Sequence, residues 1–139
     1  DPAATSFLDT TVAPDTAYLY RVAAADSTTT TAMSAIDLAT TVLFVDDPLA
    51  ALTKMKAAHI AQLRTAVNAV RAAAGLSVWT FTDSSLGLIK AVHVTELRTA
   101  LNEARTAMGM SALTFTDGSL AAEQRIKAVH IRELRAGVK

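Results

Sequence analysis

Three copies of one ten-residue pattern decide the fold: MKAAHIAQLR at residues 55–64, IKAVHVTELR at 89–98 and IKAVHIRELR at 126–135. In each copy the apolar residues follow the three- and four-residue spacing of a helix that buries one face. Three copies at nearly constant spacing indicate an internal repeat. We therefore predict a compact α-helical repeat domain of three units.

A second motif, Phe-x-Asp-x-x-Leu, precedes each copy, at residues 44–49, 81–86 and 115–120. We interpret its aspartates as structural, and those of the second and third units as N-caps of a short extra helix. They do not suggest catalysis, because no second carboxylate stands at the fixed offset that an acid–base pair needs. The three are Asp46, Asp83 and Asp117.

The histidines His59, His93 and His130 occupy the same place in each unit. Three imidazoles could bind zinc or another transition metal. Alternatively, each ring bonds a backbone carbonyl or the aspartate of its own unit. We favour the structural role, because the repeat translation separates equivalent positions in an array instead of bringing them to one point. No cofactor or metal is predicted.

An arginine follows the buried leucine of every unit, at Arg64, Arg98 and Arg135. These side chains could bind a carboxylate or a sugar-bound anion. A solvated helix edge, or a bond to the C-terminus of a neighbouring helix, is the simpler expectation. We keep them as possible interaction residues, together with Tyr18 and Tyr20.

The first forty residues have a different pattern, in which β-branched and aromatic residues alternate with others. This alternation predicts strands at residues 6–12, 18–24 and 35–45, with a turn at 13–16 and a polar loop at 26–31.

The pattern Val-x-Pro-x-Thr-x-Tyr-x-Tyr-x-Val-x-Ala at residues 12–24 resembles the corner and sixth strand of a fibronectin type III domain. Residues 26 and 34–41 resemble the final hairpin of that family. The resemblance covers residues 5–42 and implies the last three of seven sandwich strands, with Tyr18 as the corner tyrosine. It divides the chain into a partial β domain at residues 1–43 and a helical repeat domain at residues 44–139. The predicted architecture is therefore α+β.

Residues 89–97, with Ala100-Leu101, Gly109-Met110 and Phe115-Thr116-Asp117, are similar to the helix of S-layer homology repeats. That resemblance implies anchoring of a bacterial surface protein to cell-wall polysaccharide. The contact residues of the family do not carry over, because Lys-Ala-Val-His at 90–93 stands where the family has its glycan-contacting residues.

The amino-acid composition limits the kinds of function that the protein can have. Lysine and arginine number 13, as do aspartate and glutamate, so the formal charge is zero, which disfavours nucleic-acid and membrane-surface binding. The chain has no cysteine, which excludes disulfides, thiolate nucleophiles and cysteine zinc sites. No apolar run is long enough to suggest membrane insertion.

From these patterns we expect a non-catalytic structural, assembly or adhesion module of an extracellular or secreted bacterial surface protein. Three sandwich strands leave open edges that another chain can pair with. The predicted partner is therefore protein: another copy, giving an oligomer or filament, or an upstream part of the parent chain. The alternative is a cell-wall glycan anchor of the S-layer type.

Overall fold

In the part of the chain that the structure describes, the fold is α+β: a two-stranded antiparallel sheet is followed by three helices. The computed structural model describes residues 6–26 and 28–139. The elements are β1 (Ala17–Tyr20), β2 (Asp37–Thr40), α1 (Ala57–Ala73), α2 (Ala91–Ala107) and α3 (Ala128–Gly137). Residues 1–5, which the sequence analysis included in the β domain, and Ser27 of the polar loop lie outside the described residues.

Each helix begins in the same way, at a lysine in extended conformation. The histidine three residues later turns back, and its Nδ1 accepts a hydrogen bond from the lysine backbone amide at 3.2–3.3 Å. This bond satisfies one of the amides that the start of a helix leaves free. The first and second helices are followed by glycines at positive φ, Gly75 at 72° and Gly109 at 74°, as the sequence predicts.

The three helices pack face to face, and each contacts both of the others. The leucine of each repeat, Leu63, Leu97 or Leu134, is fully buried. Small residues such as Ala66, Ala100 and Ala104 are also fully buried and allow the helices to approach closely.

The sheet packs against α1 and shares its apolar cluster with the helices. Leu19 pairs with Leu38 and Ala17 with Thr40, so these four residues share one face. Leu38 and Ala17 are buried on that face, whereas Tyr18 and Tyr20 lie on the other. The connection continues the pairing irregularly, with bonds from Ser34 and Thr31 to the opposite chain segment.

The predicted fragment of a fibronectin type III domain, with S-layer-like repeats behind it, is wrong. The described residues hold only two strands, shorter than predicted, and residues 6–12 are not a strand. Asp9 instead accepts bonds from the backbone amide and hydroxyl of Thr11, a local turn that competes with strand pairing. Phe7 and Leu8 are 88% and 81% exposed, so no burial supports an extended strand there.

Replacing Gly109 with alanine should destabilise the protein by about 1–2 kcal/mol, because a Cβ is strained at positive φ. Gly87→Ala is the matched control: its φ is not in the left-handed region, and an added Cβ meets no atom within 4 Å. Urea unfolding of both variants measures the difference. Equal stabilities would contradict the assignment of Gly109 as the left-handed residue that follows α2.

Candidate functional site

One polar cluster recurs at the start of every helix and joins an aspartate, a lysine and a histidine of the same unit. In the second unit, Asp83 Oδ2 lies 2.7 Å from Lys90 Nζ and 3.0 Å from His93 Nε2. The other two clusters have the same contacts within 0.1 Å. The histidine Nδ1 accepts from the lysine amide, so Nε2 carries the proton and donates to the aspartate.

The structure thus brings each histidine to the aspartate of its own unit. All three imidazoles have zero exposure, and the aspartates are partly exposed. The predicted N-cap role of Asp83 and Asp117 is wrong, because no helix of the described chain begins at either residue. Their carboxylates bond to the lysine and histidine at the start of the next long helix. Across residues 6–26 and 28–139, no group of three or more histidines and carboxylates is arranged to hold a metal.

Hydrogen bonds from lysine, then from histidine, hold the pKa of Asp46, Asp83 and Asp117 below the ordinary value of 3.8. A carboxyl whose pKa is lower in the folded than in the unfolded state stabilises the fold above the unfolded pKa. That contribution is lost as the pH falls through the folded value.

Urea unfolding across the acid range should therefore show a loss of stability that begins near pH 4 and continues below it. Asp9 and Asp26 have lowered pKa values as well, so the whole-chain profile is not specific to the clusters. Asp83→Asn isolates one cluster, since it removes the titration and keeps a hydrogen-bond acceptor. If the free energy of unfolding of Asp83→Asn fell with acid as steeply as that of the unchanged chain, the cluster would have no role in the pH dependence.

The repeated arginines connect neighbouring units. Arg98 donates to the carbonyls of Thr116 and Asp117 at 2.8 Å, and its guanidinium lies 4.7 Å from the centre of the Phe115 ring. Arg64 makes the same kind of contact with Asp83 and Phe81. Each arginine thus holds the Phe-x-Asp loop of the following unit.

The third arginine connects the last unit to the first. Arg135 donates to the carbonyls of Val45 and Asp46 at 2.7 and 3.1 Å, and lies 4.8 Å from the Phe44 ring. The last unit therefore holds the loop of the first, and we call residues 44–139 the ring. From the sequence it stayed open whether the first and last units touch, and this contact shows that they do.

None of the three arginines bonds to the C-terminus of a neighbouring helix, because each donates to at least one carbonyl of a Phe-x-Asp loop. Two of them are also buried, so they do not lie on a solvated helix edge. Arg98 and Arg135 are 6% and 3% exposed. Burial lowers the pKa of both, and Glu133 and Asp47 respectively act in the opposite direction. Both guanidinium groups are thus engaged in contacts within the chain.

Tyr18 and Tyr20 organise the segment before the sheet. The Tyr18 hydroxyl accepts from the Ala13 amide at 2.7 Å, and the Tyr20 hydroxyl donates to Asp9 at 3.0 Å. Burial, followed by the bond to Asp9, raises the pKa of Tyr20.

Sequence reasoning missed the side chains that fasten each loop to its own helix. Glu96 accepts from the Thr82 amide, and Asn68 accepts from the Trp79 amide. Gln62, Glu133 and Asn102 make the equivalent contacts in the other units. Their constant offsets from the histidine, three and nine residues, were the available signal. Arg71, which lies over the Trp79 ring and pairs with Glu103, was also missed.

The chain matches no known protein family, no curated protein and no solved structure. Within the described part, none of the helices has both the length and the apolar character needed to cross a membrane.

Proposed function

We propose that the chain is a non-catalytic interaction module that pairs with a strand of another protein, a second copy included, through the outer edge of β1. The observation that carries the proposal is the unpaired edge: in the part of the chain that the structure describes, β1 pairs with β2 alone. An open edge is a template for strand addition.

The hydrogen-bond pattern identifies the more open of the two edges. Thr41 donates to the carbonyl of Thr16, and the bonds of an antiparallel pair alternate, so the amides of Ala17 and Leu19 point away from β2. On the opposite edge, the Leu38 amide already donates to the Asp37 side chain at 3.1 Å. This local bond leaves β1 as the edge better suited to a partner.

Exposed apolar side chains lie beside the same edge. Leu19 is 39% exposed, and Val22, two residues after β1, is 73% exposed. A partner strand that paired with β1 would cover part of this surface, and apolar burial would add to the backbone bonds. The buried histidines, each bonded to an aspartate, support a structural rather than a catalytic use of the repeated clusters.

Sedimentation velocity over a range of micromolar concentrations tests the proposal. The 139-residue chain is expected to associate as its concentration rises. A double variant, Leu19→Lys with Val22→Lys, should stay monomeric, because lysines protect an edge. Leu52→Lys, at a side chain that is 98% exposed and outside the sheet, is the control. A chain that is monomeric throughout would overturn self-pairing, and association unchanged in the double variant would overturn the assignment to this edge.

The location outside the cell and the glycan-anchor alternative stay predictions from the sequence. The arginines considered for a sugar-bound anion are Arg64, Arg98 and Arg135, and all three bond to backbone carbonyls of the ring.

A further inference from the structure

A cavity of about 750 Å³ opens where the three helices begin. Three segments line it, 52–55, 88–90 and 122–126, one from each unit of the ring. Each segment leads directly into a helix, so the N-terminal ends of α1, α2 and α3 meet at the same cavity. No residue of the β1–β2 hairpin takes part, and the cavity is therefore separate from the proposed strand-pairing edge.

The floor of the cavity is apolar. Met55, Ile89 and Ile126 occupy the same place in each unit, immediately before the lysine that starts the helix, and all three line the cavity. Ile126 is buried and the other two are half-buried. Leu52 and Leu88 also line it and are 98% and 75% exposed, which leaves apolar surface at the opening.

The surroundings are positively charged. Lys54, Lys90 and Arg125 line the cavity, and Glu123 is the one acidic residue among its lining side chains. Lys90 is bonded to Asp83, whereas Lys54 and Arg125 are exposed and have no salt bridge among the described residues. None of the three helices has an acidic residue in its first turn, but the aspartate of each polar cluster lies at a helix start and offsets the helix dipole there. The positive charge at the cavity therefore comes from Lys54 and Arg125, the two cations that have no salt bridge in the described chain.

We propose that this cavity binds the carboxylate and alkyl chain of a free medium-chain fatty acid. The alkyl chain would lie on Met55, Ile89 and Ile126, and the carboxylate would pair with Lys54 and Arg125. The volume falls within the roughly 300–1,000 Å³ of sites that take small molecules, and an apolar lining with a few polar groups is typical of such sites. An uncharged or cationic chain of the same length fits the lining charge less well.

Isothermal titration of the full chain with decanoate tests this proposal. Decanoate should bind, whereas acetate, which lacks the alkyl chain, and decylammonium, which reverses the charge, should not. The double variant Lys54→Ala with Arg125→Ala should weaken decanoate binding roughly tenfold. Met55→Trp, which fills the floor, should abolish it.

Arg132→Ala is the matched control, since Arg132 is exposed on α3 and does not line the cavity. It should bind decanoate as the unchanged chain does. Absence of decanoate binding would overturn the proposal. Equal binding of decylammonium, or unchanged affinity in the double variant, would overturn it as well, because either result would mean that the lining cations do not select the ligand. A circular dichroism spectrum of each variant confirms that the helices are retained.

Discussion

Replacing Arg135 with alanine should lower the free energy of unfolding by about 3 kcal/mol. Arg135 is 3% exposed, and its guanidinium donates to the carbonyls of Val45 and Asp46 and lies over the Phe44 ring. Its removal leaves two carbonyls without their charged donor and opens the contact between the last unit and the first. Urea unfolding followed by circular dichroism measures the loss.

Arg132→Ala provides the control for that experiment, because Arg132 lies on the same helix and is exposed. Its effect should stay within about 0.5 kcal/mol, as expected for a surface substitution. If Arg135→Ala lowered the free energy of unfolding as little as Arg132→Ala does, Arg135 would not hold the ring closed. Arg98→Ala, which removes the equivalent contact between the second and third units, should cost a similar amount to Arg135→Ala.

Replacing the repeated leucine with alanine should cost about 3 kcal/mol in every unit. Leu63, Leu97 and Leu134 have zero exposure, so each substitution removes buried methyl groups and leaves a cavity. Similar losses at all three sites are expected because a closed ring has no terminal unit. In an open stack, the outer copies would pack against only one neighbour, and their substitutions would be milder.

Thermal and urea unfolding of the three single variants compares the copies directly. Leu52→Ala is the control, because that leucine is 98% exposed and should tolerate truncation. A markedly smaller loss at Leu134 than at Leu97 would contradict equal burial of the third unit in the ring.

The helices could be predicted from the sequence because local signals agree along each repeat. Apolar spacing places the buried face, and Gly75 and Gly109 mark the ends of the first two helices. The strand at residues 6–12 could not be judged in the same way. Its alternation was present, but Asp9 bonds locally to Thr11, and strand formation depends on a partner that a single sequence does not identify.

The contacts between units could not be predicted from the sequence, for a different reason. Arg64, Arg98 and Arg135 have the same sequence context, and nothing local distinguishes a solvated arginine from one that stacks on the phenylalanine of the next unit. The closing contact joins Arg135 to Val45, 90 positions earlier in the chain. Repeat spacing is equally compatible with an open stack and a ring, because both use the same interface between neighbours.

Closure of the ring also brings two distant positions of the chain together. Lys139 Nζ lies 3.1 Å from Asp47 Oδ2, so residue 139 lies beside the first loop of the ring. A unit with this topology can be inserted into a surface loop of another domain while the flanking strands of the host stay adjacent. It also suits circular permutation: a short linker can join residue 139 to residue 44, with new termini in the exposed segment 121–123.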